Sequence, residues 1–477
     1  MRTVPLEQVV GRIRAENPWW TPPYAIEPRV AAYHPRAYLS GLRTLISDTQ
    51  VRRAVVLLGP RRVGKTVLLH HVVQDMLAGG VAPLRLCMIS VDHPLYNALS
   101  LAELLDAYRE AAGLDSLAGS FVCFDEIQYL PDWERHLKAL VDEHASTRFV
   151  ASGSAAAALR LRSLESGAGR FTDFLLPPLS FYEYLTLLEQ DHIVGWHPKT
   201  QTADCEDLGV LNVHFINYLN FGGYPEVALS ADIQADPARF LKADIIDKVL
   251  LRDLPSLYGI QDIQELNSLF TALAYNTAGE VSLEALAKRS GVAKNTLKRY
   301  IEYLEAAFLV KVIHRVDRNG RRFKRATAFK VYLTNPSMRA ALFSPVGADD
   351  DAMGDLVETA VFAQWFHDPS ALHYARWDRH EVDLVGLDPR QQPVWVVEAK
   401  WSDRFVARPQ DLGSLLAFCE TNRLPRATVT TRTARATMDV SGVTLDFIPT
   451  ALYCYAAGRI RIERPDRAAR APLFSLS

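Results

Sequence analysis

The sequence predicts an α/β protein built on a doubly wound parallel sheet. Three observations carry that expectation. The apolar run Ala54–Leu58 breaks at Gly59, and an amphipathic run, Val67-Leu68-Leu69-His70-His71-Val72-Val73, follows Thr66. Two further apolar runs, residues 84–92 and 121–127, flank a helical stretch at 101–112. A fourth run at 148–151 ends in Ser152-Gly153-Ser154. Strands alternating with helices form parallel sheets whose ligands sit at the carboxyl ends of the strands.

The first break has a specific form. Gly59-Pro60-Arg61-Arg62-Val63-Gly64-Lys65-Thr66 fits the spacing G-x-x-x-x-G-K-[ST], with a strand before it and a helix after it. Glycines let backbone N–H groups close on phosphate oxygens, and the helix N-terminus adds its positive dipole end. Lys65 is expected at the β- and γ-phosphates and the Thr66 hydroxyl on Mg²⁺, so ATP and Mg²⁺ are the expected cofactors. Some 60 residues on, Phe121-Val122-Cys123-Phe124 runs into Asp125-Glu126. Asp125 is expected to hold Mg²⁺, and Glu126 to act as general base on the attacking water. A polar residue ending the next strand would face the γ-phosphate, and Ser152 or Ser154 fills that place.

Composition bounds the alternatives. The chain has 477 residues, 49% hydrophobic and 23% charged, with a net charge of −2. That length implies roughly three domains with ample core. A near-neutral balance gives no global nucleic-acid footprint, so any such surface must be local. Cys87, Cys123, Cys205, Cys419 and Cys454 are scattered and contain no C-x-x-C pair, which argues against a zinc site or a disulfide framework. No run approaches ~18 apolar residues and no apolar signal core opens the chain. A cytoplasmic protein without membrane contact is expected.

Residues 1–38, with Trp19, Trp20, Pro22, Pro23 and Pro28, read as an extended arm packing on an ATPase core at 39–176. After the last core strand come Arg160, Arg162 and Arg170. An arginine aimed at the γ-phosphate stabilises transition-state charge, and Arg170 is the candidate, in cis or from a neighbouring subunit of a homo-oligomer. From 177 to 260 the pattern is helical, with a breaker-rich turn at Asn220-Phe221-Gly222-Gly223-Tyr224-Pro225-Glu226. This reads as a helical lid.

Residues 261–345 read as a winged helix. Ser282 can cap a helix to Ser290, Gly291 breaks the chain, and a second helix carries Leu297, Ile301 and Leu304 on one stripe. A strand from Phe308, a turn at Asn319-Gly320 and a strand at 326–333 form a hairpin. Arg315, Arg318, Arg321, Arg322, Lys324, Arg325 and Lys330 stand in the hairpin against Asp317. Lys294, Lys298 and Arg299 lie on the second helix. A basic face on a neutral protein is the footprint of phosphate-backbone contact, making DNA the expected partner.

Residues 346–465 open with the linker Asp349-Asp350-Asp351 and a helix carrying Glu358. Three strands follow, bearing Asp383 and then Glu398-Ala399-Lys400. Period two puts Glu398 and Lys400 on one face. Glu358, Asp383 and Glu398 would form an oxygen-ligand set suited to Mg²⁺ or Mn²⁺, with Lys400 orienting or activating water. The set resembles the PD-(D/E)XK nuclease superfamily, although Val382 stands where that pattern has proline. The resemblance leaves open a cleaving site or a retained scaffold. Residues 466–477 read as a tail.

The ordered set of Gly59–Thr66, Phe124-Asp125-Glu126-Ile127-Gln128, Ser152-Gly153-Ser154, Gly169-Arg170 and Gly222-Gly223-Tyr224-Pro225-Glu226 resembles prokaryotic AAA+-like P-loop ATPases with a C-terminal region of unknown function. The resemblance covers most of residues 40–460. It implies a nucleotide-binding core with helical lid, a winged helix and a small α/β nuclease-like domain. Two functions follow as expectations. One is an ATPase coupling nucleotide state to a DNA-contacting winged helix and a nuclease-like domain. The other is a nucleotide-dependent switch or scaffold whose nuclease-like domain is inactive.

Overall fold

The apolar run before the glycine loop forms β1 (Ala54–Leu58), and every one of its residues is buried. It lies inside a five-stranded parallel sheet with β2 (Leu86–Ser90), β3 (Phe121–Asp125), β4 (Arg148–Gly153) and β5 (Phe171–Leu175), in the order β2-β3-β4-β1-β5. β1 pairs in parallel with β4 and with β5. Near-continuous apolar strands are what a sheet covered on both faces requires. The order places the carboxyl ends of β1 and β3 on either side of β4, and both candidate nucleotide motifs leave the sheet there. This computed structural model describes residues 5–48, 50–154, 169–322, 328–366 and 372–463. The chain divides into two compact units, Met1–Leu176 and Pro177–Ser477.

The N-terminal arm differs from its extended reading. Leu6–Glu16 is an α-helix with Val9, Val10 and Ile13 buried, and Pro18–Trp20 is a single 3₁₀ turn. The arm serves the edge strand β2. The indole N–H groups of Trp19 and Trp20 donate to Leu86 O at 2.9 and 2.8 Å. Asn17 donates to Met88 O at 2.9 Å and accepts from Met88 N at 2.7 Å, acting as a strand partner. The edge is thereby closed to pairing with another chain.

In the second unit, residues 177–260 contribute the helices Phe181–Leu187 and Leu208–Phe221. They also contribute a hairpin, β6 (Gly195–His197) and β7 (Thr202–Asp204), which the helical reading did not contain. Ser180 begins the first helix through a reciprocal capping box with Glu183. Residues 280–333 supply β8 (Glu280–Ser282), the helices Leu283–Ser290 and Lys294–Ala306, β9 (Val310–Val316) and β10 (Ala328–Leu333). Ser282 caps the first of these helices by accepting from Ala285 N at 3.4 Å.

The C-terminal strands are β11 (Leu372–Trp377), β12 (His380–Leu387), β13 (Pro393–Glu398), β14 (Arg426–Thr431), β15 (Ala436–Val440) and β16 (Val443–Pro449). The modules read separately at 261–345 and 346–465 share one nine-stranded sheet, β15-β16-β14-β13-β12-β11-β9-β10-β8. The joint is a parallel pairing in which Tyr374 lies opposite Arg315 and Ala375 opposite Val316. The helix Met353–Ala363 covers the region of the joint, packing Val357, Ala360 and Val361 into a core with Tyr332, Tyr374 and Leu384. All five cysteines are free thiols. Among the described residues, no helix is long and apolar enough to cross a membrane.

Candidate functional site

In the first unit, the loop between β1 and the helix Lys65–Ala78 has the geometry its glycines dictate. A Cβ at Gly59 would lie 2.2 Å from Leu176 O, and Gly64 sits at φ +92°. Both positions demand glycine. Val63 is buried, and its carbonyl accepts from the Arg36 guanidinium at 2.6 Å, which pins the loop from beneath. Lys65 is 5% exposed, and its Nζ donates to Gly59 O at 3.1 Å and Pro60 O at 2.8 Å. Arg61 reaches Tyr129 Oη at 2.9 Å, and Arg62 is exposed.

The end of β3 meets this loop. Thr66 Oγ1 donates to Asp125 Oδ2 at 2.7 Å. Ser152 Oγ donates to Asp125 Oδ1 and accepts from Glu126 N at 3.2 Å. Ser152 therefore links the two acids through one hydroxyl. Glu126 has φ +55°, a left-handed conformation that a non-glycine residue adopts only when its surroundings impose it. Gln128 Nε2 donates to Glu126 Oε2 and, at 3.2 Å, to Ser154 Oγ. Burial raises the Glu126 carboxyl above its usual range, against the lowering effect of the Lys65 charge. A base so raised holds a proton better near neutrality. Gln128, absent from the expected set, forms the bridge between Glu126 and Ser154. Its position two residues after the glutamate is the signal that could have marked it.

The residues present fit a magnesium nucleotide. A hydroxyl and a carboxylate are already within hydrogen-bond distance, and a buried ammonium lies under a loop whose helix presents its N-terminus. Arg170 does not join them. Its Nε donates to Asp142 Oδ1 at 2.5 Å, and its carbonyl accepts from Ala54 N at the amino end of β1. The loop leaves the opposite end, roughly 15 Å away at strand rise, so the role in cis is corrected. Arg160 and Arg162 lie outside the described residues.

The second unit gathers a different cluster. Glu358 stands on the helix Met353–Ala363, Asp383 on β12, and Glu398 and Lys400 at the end of β13. Lys400 Nζ lies 2.8 Å from Glu398 Oε1 and 3.3 Å from Asp383 Oδ2. Ala399 N donates to Asp383 Oδ2 at 2.9 Å. The expected residues are thus brought together, but with a second cation among them. Lys330, read from sequence as part of the basic hairpin face, is 2% exposed. Its Nζ lies 2.7 Å from Glu358 Oε1, 2.6 Å from Glu381 Oε1 and 3.8 Å from Asp383 Oδ1. Tyr332, two residues on and so on the same face of β10, donates to Glu358 Oε1 at 2.6 Å.

Burial and the Asp383 charge push Glu358 and Glu398 each up to about 7. Burial opposes the charge on Asp383 too, yet Lys400 and Lys330 outweigh it and hold that carboxyl below its usual value. Burial likewise opposes the Lys330 ammonium, but Glu358, Tyr332, Asp383 and Glu381 keep its pKa well above the usual range. Among the described residues, no group of three or more His, Cys, Asp or Glu side chains is arranged to hold a metal. The expected Mg²⁺ or Mn²⁺ set of Glu358, Asp383 and Glu398 is thus left without support, and its acids are met by Lys330 as well as the expected Lys400. The roles of Tyr332 and Glu381, and the inward place of Lys330, escaped the sequence reading, although a lysine within Ala-Phe-Lys-Val-Tyr-Leu is a charge inside an apolar strand.

The basic face is smaller than expected. Lys294, Lys298, Arg299, Arg318, Arg321 and Arg322 are exposed, but Lys294 pairs with Glu284 and Lys298 with Glu302. Arg315 is half-buried and donates to Arg376 O at 3.0 Å. Lys324 and Arg325 lie outside the described residues.

Comparison with known proteins places the first unit. Residues 51–185 match the family described as AAA domain, which supports a nucleotide-binding, ATPase-like reading of that stretch. Residues 212–350 match a domain of unknown function, DUF8612. An uncharacterized protein of Haemophilus influenzae is 23% identical over 72% of this chain and 82% of its own length. The uncharacterized protein MJ1544 of Methanocaldococcus jannaschii is 22% identical over 69% and 71%. Among solved structures, the Aeropyrum pernix ORC1 protein in complex with DNA aligns at TM-score 0.33 and 14% identity, over 68% of this chain and 95% of that one. Cdc6p from Pyrobaculum aerophilum aligns at TM-score 0.28 and 13% identity, over 68% and 96%.

Proposed function

With an AAA domain over residues 51–185 as the premise, we propose that this protein binds and hydrolyses ATP and couples its nucleotide state to DNA contact through residues 280–333. The observation that carries the proposal is the convergence of Lys65, Thr66, Asp125 and Glu126 at the carboxyl ends of β1 and β3. Backbone N–H groups of the loop hold the phosphates, and Lys65 exchanges its loop carbonyls for phosphate oxygens. Thr66 and Asp125 would hold Mg²⁺, which when bound would neutralise the charge that develops on the phosphates. Glu126 takes the proton of the attacking water, with Ser152 and Gln128 fixing its position. An arginine supplied by a neighbouring subunit completes charge stabilisation, and Arg170 remains the residue proposed for that role.

Residues 280–333 supply the helix–turn–helix and hairpin of a winged helix. Arg299, Arg318, Arg321 and Arg322 are its exposed cations for phosphate contact. The metal-dependent cleavage expected of the C-terminal strands is not part of this proposal, because Lys330, a second cation beyond the expected Lys400, sits among its acids. The test is phosphate release from MgATP by the full chain, with and without duplex DNA, alongside an Arg321→Ala/Arg322→Ala variant. DNA should change the turnover of the wild type. The double variant should bind DNA more weakly, with a salt dependence shallower by about two charges. Turnover indifferent to DNA, with unaltered DNA binding in the variant, removes the coupling; no turnover at all removes the ATPase.

A further inference from the structure

Side-chain hydrogen bonds tie the glycine loop and its helix to the chain after β3 at two depths. The inner tie is Thr66 to Asp125, a partly buried pair. The outer tie is exposed: Arg61, two residues after Gly59, donates to Tyr129 Oη at 2.9 Å. Tyr129 ends the 3₁₀ turn Ile127–Tyr129, which Glu126 immediately precedes. The turn has anchors of its own. Ile127 and Leu130 are buried, and Gln128 donates to Glu126 and to Ser154 Oγ. Tyr129 itself is 40% exposed, so its hydroxyl can be given up without unpacking a core. The Arg61 charge is also felt at the proposed base. With Lys65 it lowers the Glu126 carboxyl that burial raises, which puts the guanidinium within electrostatic reach of the reacting end of a bound nucleotide.

We propose that Arg61 distinguishes ATP from ADP: its guanidinium leaves the Tyr129 hydroxyl for the γ-phosphate of ATP and returns to it once that phosphate is released. The inference rests on the ATPase reading of this site and gives a role to a residue that reading did not use. The chemistry favours the exchange. A phenol offers the guanidinium one neutral oxygen. A terminal phosphate offers charged oxygens in a geometry that two parallel N–H groups meet at once. ADP ends at the β-phosphate, which the loop amides and Lys65 already serve, so it gives Arg61 nothing to gain by leaving Tyr129. Arg61 acts from within the chain on the bound nucleotide, in addition to the arginine proposed from a neighbouring subunit. The outer tie is closed with ADP and open with ATP, while the anchors at Ile127, Gln128 and Leu130 keep the turn in place.

The test is titration calorimetry of the full chain with MgADP and with the magnesium complex of the β,γ-imido analogue of ATP, which is not turned over. Arg61→Ala and Tyr129→Phe are compared with the wild type; both change exposed side chains and should fold. Arg61→Ala should weaken the triphosphate about tenfold or more, the worth of a hydrogen bond to a charged group, and leave ADP binding unchanged. Tyr129→Phe should bind the triphosphate at least as tightly as the wild type, because it removes only the hydroxyl that Arg61 gives up. Equal losses for the two nucleotides in Arg61→Ala, or no loss for either, overturn the proposal. A Tyr129→Phe loss that matches the Arg61→Ala loss also overturns it, since Arg61 would then be a strut for the turn. A wild type that binds neither nucleotide removes the ATPase reading itself, a result distinct from each of these.

Discussion

Replacing Glu126 with glutamine is expected to leave ATP bound and to slow phosphate release by about 10²–10⁴-fold, the range a positioned general base contributes. The substitution keeps the shape of the side chain and its contact with Gln128 but removes the proton acceptor. Affinity should survive, because Lys65, the loop amides and the Thr66–Asp125 pair are untouched. Ser152 should still orient the residue through the Glu126 backbone N–H. A strained φ of +55° supports the same conclusion: that conformation costs energy, and the hydrogen bonds from Gln128 and to Ser152 maintain it. Single-turnover phosphate release, with nucleotide binding measured in parallel, separates the outcomes. Undiminished release would remove Glu126 as the base.

The second large effect is on stability. Lys330→Met leaves buried carboxylates without their cation, and breaking a buried pair in this way costs about 3–5 kcal/mol. The loss should depend on pH. Glu358 and Glu398 have folded values raised from 4.5 to about 7. Groups raised in this way favour the folded state fully below their unfolded values, and that contribution is lost as pH rises through about 7. Asp383 is lowered, so its contribution is lost only in acid, as pH falls through its folded value. The variant should therefore be penalised more at about pH 8, where both glutamates are ionised, than at about pH 5.5, where they carry protons. Urea unfolding at the two values, following the transition of the second unit, measures the difference. A penalty equal at both would mean that the lysine packs there without neutralising charge.

Local chemistry was legible in the sequence, and long-range pairing was not. The glycine loop, the acids after β3 and the cap at Ser282 each depend on residues within a few positions, so spacing revealed them. The helix Leu6–Glu16 escaped because the prolines and tryptophans beyond it dominate the composition of the arm. β5 is a half-buried edge strand, Phe-Thr-Asp-Phe-Leu, with too little apolar periodicity to stand out. The joining of β9 to β11 was beyond reach, since only two residue pairs make it and nothing in either strand announces the other. Lys330 was misread for the same reason. Counted along the chain it is one of seven basic residues near a turn, and only the sheet shows that it points inward. The acids of the second unit were correctly grouped, but their neutralisation lay on an element more than 25 residues before the first of them.

The central claim is that the loop at residues 59–66 holds a magnesium nucleotide. Titration calorimetry of MgATP into the wild type and into Lys65→Ala tests it most directly. Saturable binding at one site per chain, weakened at least tenfold by the substitution, is the predicted result. Equal affinity in the two proteins, or no binding by the wild type, would contradict the account.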